Sequence, residues 1–90
     1  MKNLIVIPTF NEKQNIAALI EEIKNSGNNV DVLVVDDNSP DGTGKIVDQI
    51  TKKEKFVNVL HRKEKSGLGR AYVAGFEWGI EKGYQKMISM

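Results

Sequence analysis

Ninety residues, 40% of them apolar and none of them cysteine, describe one small packed unit without disulfides or thiolate metal sites. No apolar run approaches the ~20 residues that span a bilayer, and Leu4 to Ile7 is too short for a signal-peptide core, so a cytoplasmic location is expected. The net charge of +1 is unevenly spread: residues 1–50 hold four Lys against eight Asp or Glu, and residues 51–90 hold nine Lys or Arg against four Glu. An acidic loop facing a basic one suits a nucleotide sugar, whereas solvated charge runs are the plainer reading.

In chain order, Leu4-Ile5-Val6-Ile7 ends at Pro8 and reads as a strand buried on both faces. Asn11 is expected to cap a helix, with Gln14 completing a capping box; Ile16, Leu19, Ile20 and Ile23 then form one apolar stripe, and Gly27 stops it. Val30 to Val35 predicts a second strand. Asp36 to Gly44 is dense in turn formers and predicts a loop, after which Ile46, Val47 and Ile50 mark a helix that fades over Lys52 to Lys55. Val57 to Leu60 predicts a third strand and His61 to Gly69 a polar loop. Tyr72, Val73, Phe76 and Ile80 mark a third helix ending at Gly83, and Met87 opens a fourth strand. The expected class is α/β: β-α-β-α-β-α-β over a mostly parallel sheet, one domain across residues 1–90, incomplete at its C-terminal end.

Ligands of open parallel sheets bind beyond the carboxyl ends of the strands, which here means Pro8 to Glu12, Asp36 to Gly44 and His61 to Arg70. The first loop lacks G-x-G-x-x-G, so it is no dinucleotide cradle. Phe10 can lie against a base or pack as core, and Glu12 can accept nucleotide hydrogen bonds or favour a helix N-terminus. Asp36 and Asp37 point to opposite faces and so take different tasks, one bracing the loop and one reaching the crevice. Asp41 to Gly44 reads as a capped turn, with Asp41 or Thr43 capping the next helix. In the third loop, Gly67 and Gly69 let backbone N–H groups approach an anion at a helix N-terminus. Gly75 and Gly79 are read as close packing, His61 as a strand-end surface residue, and Trp78 as core or interface.

Together IPTFNEKQNI, VVDDNSPDGTG and HRKEKSGLGRAYVAGF resemble the first three blocks of the dolichol-phosphate or polyprenol-phosphate mannose synthases, family 2 glycosyltransferases with the Rossmann-like GT-A fold. The resemblance runs over essentially the whole chain. It implies sugar transfer, typically of mannose from GDP-mannose, to a lipid phosphate at the cytosolic membrane face, with no nucleic-acid partner. Carried over by position, Pro8, Phe10, Glu12, Val35 and Asp37 contact the nucleotide, Asp37 reading the base; Gly67 and Gly69 shape the donor floor and Lys65 meets phosphate. Phe10 stands where the family usually has Tyr, which removes a hydroxyl contact and keeps the stacking.

The family holds Mg²⁺ or Mn²⁺ on an Asp-x-Asp motif in the strand that here begins at Met87, and no Asp follows Asp48. No catalytic or metal-binding residue is therefore assigned, and these ninety residues are expected to be inactive in transfer by themselves. Three other readings bear on the same residues. VLVVDDN resembles the acidic pocket of a receiver domain, which needs a later phosphorylatable Asp. Asp37, Ser39, Asp41, Gly42 and Asp48 match EF-hand spacing, but a strand enters the loop, Pro40 interrupts it and its last ligand is not Glu. A noncatalytic nucleotide-binding remnant stays open.

Overall fold

The computed structural model describes residues 3–27, 29–63 and 67–90. Seven elements follow in order: β1 (Asn3–Thr9), α1 (Ile16–Asn25), β2 (Val30–Asp36), α2 (Thr43–Lys53), β3 (Val57–His61), α3 (Leu68–Glu81) and β4 (Met87–Ser89). The strands form one parallel sheet in the order β3-β2-β1-β4. Leu4 pairs with Asp31 on one side and with Met87 on the other, so β1 is central.

Strand alternation divides the core in two. Ile7, Val32, Val34 and Val57 face Ile16, Ile20 and Ile23 of α1 and Val47 of α2. Leu4, Val6, Leu33 and Val35 face α3 around Ala71. Because both faces of β1 and β2 are covered, these strands are apolar almost without a break. α3 approaches closely because its sheet-facing stripe is Ala71, Gly75 and Gly79. A Cβ on Gly75 would stand 2.5 Å from Val6 Cγ1, which confirms the packing role expected for that residue.

Two boundaries differ from expectation. α1 begins at Ile16, not after Asn11, and its N-cap Asn15 makes no side-chain capping bond. Asn11 instead turns the chain with φ of 57°, while Gln14 lies exposed. The cause is long-range: Ser39 Oγ takes the Asn11 N–H that the Gln14 side chain of a capping box would reach, and Asn11 lies in the left-handed region rather than the extended conformation of an N-cap. α3 begins at Leu68, which puts Gly69 in a helical turn rather than in the loop. Among the described residues no helix is long and apolar enough to cross a membrane.

Candidate functional site

Since the strands are parallel, the loops after β1, β2 and β3 emerge at the same sheet edge. The loop after β2 is their hub. Ser39 Oγ accepts the Asn11 N–H at 3.0 Å, Thr43 Oγ1 accepts the Glu12 N–H at 3.0 Å, and Asp41 Oδ2 accepts the Lys13 N–H at 3.1 Å. Three consecutive backbone donors of one loop are thus satisfied by three side chains of the next. On the other side, Asn38 Nδ2 donates to the Lys63 carbonyl at 3.1 Å, and the Arg62 N–H donates to the Asp36 carbonyl at 2.8 Å. Asp41 also accepts the Thr43 N–H at 3.0 Å through Oδ1, but the N-cap of α2 is Gly42, without a side-chain capping bond, so neither Asp41 nor Thr43 takes the capping position expected for it. Burial pushes the Asp41 carboxyl upward, but its hydrogen bonds from Thr43 and Lys13 outweigh that and hold it below the usual carboxylate range.

The two adjacent carboxylates have separate tasks, as their alternation requires. Asp36 is a brace: Oδ1 accepts from Thr9 Oγ1 at 2.7 Å and Ser39 Oγ at 2.6 Å, and Oδ2 accepts the Ser39 N–H at 3.0 Å. Asp37 faces the α3 side. It is only 5% exposed, and its Oδ1 accepts no hydrogen bond among the described residues. Arg62 Nη1 stands 3.5 Å from that oxygen, which offsets the charge without completing its hydrogen bonding.

Asp37 lines a cavity of about 260 Å³ together with Pro8, Thr9, Phe10, Gly67, Leu68 and Ala71. Phe10 presents a ring 36% exposed. Gly67 has φ of 97° and ψ of 154°, a conformation open only to glycine, and it delivers the chain into the first turn of α3. The unpaired N–H groups of that turn suit an anion at the cavity's edge.

Of the residues singled out from sequence, Pro8, Phe10, Asp37 and Gly67 meet in this one cavity. Val35 does not reach it: its side chain is fully buried beneath α3. Glu12 does not line it either, because its Oε2 accepts from Asn15 Nδ2 at 3.3 Å within its own turn. Gly69 lies exposed one residue into α3, and Lys65 falls outside the described residues. Sequence reasoning missed Arg62, although two neighbouring carboxylates signalled a cation nearby. It missed Thr9, Leu68 and Ala71 as well, which as plain strand and helix residues give no signal. His61 ends β3 on the surface, its Nε2 2.7 Å from Asp48 Oδ1, beside a polar cavity of about 210 Å³ on the α2 side. Among the described residues no three His, Cys, Asp or Glu side chains stand close enough to hold a metal ion.

The model of glycosyl transferase family 2 matches residues 4–79. The chain is 42% identical over 90 residues to the polyprenol monophosphomannose synthase of Mycolicibacterium smegmatis, covering 99% of this chain and 34% of that protein. It is 46% identical to the undecaprenyl-phosphate mannosyltransferase of Micrococcus luteus, covering 100% and 37%. It therefore spans about a third of the length of these curated relatives. Among solved structures, a mannosyltransferase from Pyrobaculum calidifontis, determined in complex with GDP-Man and Mn²⁺, superposes with a TM-score of 0.79 at 22% identity, over 86% of this chain and 24% of that one. The shared α/β architecture is that of the GT-A mannosyltransferases.

Proposed function

Because the chain belongs to glycosyl transferase family 2, we propose that it is the sugar-nucleotide-binding part of a polyprenol-phosphate mannosyltransferase. GDP-mannose is the donor, and a lipid phosphate is the acceptor of the whole enzyme. The names of the two mannosyl-transferring relatives and the GDP-Man complex of the fold neighbour support both choices. Pro8, Phe10, Asp37 and Gly67 hold the nucleotide, with Gly69 at the edge of the donor floor. The divalent ion that such chemistry uses would find its ligands elsewhere than among the described residues.

One observation carries the proposal: a buried carboxylate, one oxygen of which accepts no hydrogen bond among the described residues, shares a cavity with an accessible aromatic ring. A carboxylate is acceptor-only and can take both N–H groups on the Watson–Crick edge of guanine, whereas uracil offers one. Phe10 supplies a face for the base. The cavity, at about 260 Å³, is smaller than the ~300 Å³ at the low end of ligand pockets, so it takes base and ribose and leaves the diphosphate over Gly67 and the α3 N-terminus.

Calorimetric titration tests this directly. GDP should bind more tightly than UDP, and Asp37→Ala should weaken GDP by about tenfold or more, the scale of a lost charge-assisted hydrogen bond. Equal affinity for the two nucleotides, unchanged by Asp37→Ala, would remove Asp37 from base recognition.

A further inference from the structure

The contacts between the first two loops leave the grip on the base mechanically dependent on residues that touch no ligand. Phe10 and Asp37 each immediately precede an asparagine in the left-handed region, Asn11 with φ of 57° and Asn38 with φ of 56°. Such a conformation is uncommon outside glycine and persists only where the surroundings fix it. On either side of these turns the loops are tied together. The Asp37 N–H donates to the Thr9 carbonyl at 3.1 Å, and the three amides after Phe10 are held by Ser39, Thr43 and Asp41. The chain of contacts continues inward, since Ser39 Oγ donates to Asp36, which also takes the Thr9 hydroxyl. Thr43 is fully buried, and its hydroxyl donates to Asp41 while accepting from Glu12.

We propose that Ser39, Asp41 and Thr43 are positioning residues for nucleotide recognition, fixing the Phe10 ring relative to the Asp37 carboxylate by holding the amides of Asn11, Glu12 and Lys13. This rests on the functional reading above. A hydroxyl or carboxylate at each of these positions does what a backbone ladder would do if the two loops were strands, and it does so where the sheet has ended. Loss of one such acceptor hands its backbone donor to water at the exposed Asn11 and Lys13, leaves the part-buried Glu12 donor poorly satisfied, and in each case frees the turn that aims Phe10. The consequence reaches selectivity, because the Asp37 carboxylate can meet both guanine N–H groups only when the Phe10 ring holds the base in register with it.

Test variants are Ser39→Ala, Thr43→Val and the conservative Thr43→Ser, each titrated calorimetrically with GDP and UDP, with a thermal melt as a check of folding. The Ala and Val variants should lose about tenfold in GDP affinity and move the GDP-to-UDP ratio toward one, while Thr43→Ser stays within about twofold of the unaltered chain. A purely structural role would lower the melting temperature without changing that ratio in the protein that remains folded, and that result overturns the inference. Should Thr43→Val not fold, Ser39→Ala, in a partly exposed loop, decides alone. Asp37→Asn separates the two levels. If it abolishes the GDP preference while Ser39→Ala leaves it intact, the positioning role fails and the functional reading stands. No preference in the unaltered chain overturns both.

Discussion

At the scale of single residues, the structure shows how neighbouring groups of identical chemistry come to differ. Asp36 and Asp37 are both buried, yet one accepts three hydrogen bonds from protein donors and the other faces Arg62 with an oxygen that accepts none among the described residues. Tyr84 is a second such case. Burial, reinforced by the hydrogen bond it donates to the Asp31 carboxylate, pushes its phenol up to about 12 from the ordinary 10.0. A group whose pKa is raised by folding stabilises the fold fully below its unfolded pKa. That contribution is lost as pH climbs from about 10 toward about 12. Phenol absorbance should therefore show a tyrosine ionising near pH 12, and Tyr84→Phe should abolish that step. The separate tasks of the two aspartates were legible in sequence, because alternation along a strand is a local rule. The partner of Asp37 was not, since Arg62 arrives from another strand, and neither was the Asp31–Tyr84 bond, which joins residues far apart in the chain.

At the scale of elements, α3 lies as close to the sheet as its glycines allow. A Cβ on Gly75 meets Val6 Cγ1 at 2.5 Å and Val35 Cγ2 at 3.2 Å, both fixed branches of buried strand residues. A Cβ on Gly79 meets the Met87 thioether and, at 2.9 Å, Cδ2 of the buried Leu4; both are ends of side chains with more rotational freedom than a valine branch. Gly75→Ala should thus cost about 1–3 kcal/mol in denaturant unfolding, and Gly79→Ala clearly less, despite the helix propensity that alanine brings to both. Equal costs would mean that the helix shifts as a body. The stripe was readable from spacing, since i and i+4 share a helix face. The start of α1 departs from its local signature for a corresponding reason: Asn11 and Gln14 carry a capping-box pattern, but Ser39 holds the Asn11 amide that the box would use. Local rules describe helices well until a distant loop claims their first donors.

At the scale of the molecule, alternating strand and helix patterns revealed the element order and the sheet edge where the site sits. They did not reveal which strand edge β4 would take; that depends on pairing between β1 and residues near the other end of the chain. The arrangement has a functional counterpart. The described residues assemble the cavity that we propose takes base and ribose, but no trio of His, Cys, Asp or Glu side chains able to hold a divalent ion. We therefore expect these ninety residues to bind GDP-mannose without transferring mannose to a polyprenol phosphate. A radiolabel transfer assay with added Mn²⁺ should stay at background, and turnover above it would show that the chain supplies its own means of stabilising the departing charge.

The central place of β1 has one more consequence. Its partners β2 and β4 both follow it in the chain, one a single crossover away and the other three, and every pairing in this sheet spans a helical crossover, so little of the sheet can form by short-range zippering. While the three residues of β4 are detached, Leu4-Ile5-Val6-Ile7 becomes a bare edge, uncharged and rich in β-formers. Such a segment invites intermolecular strand addition, so the shortest strand of the sheet is also its guard against self-association.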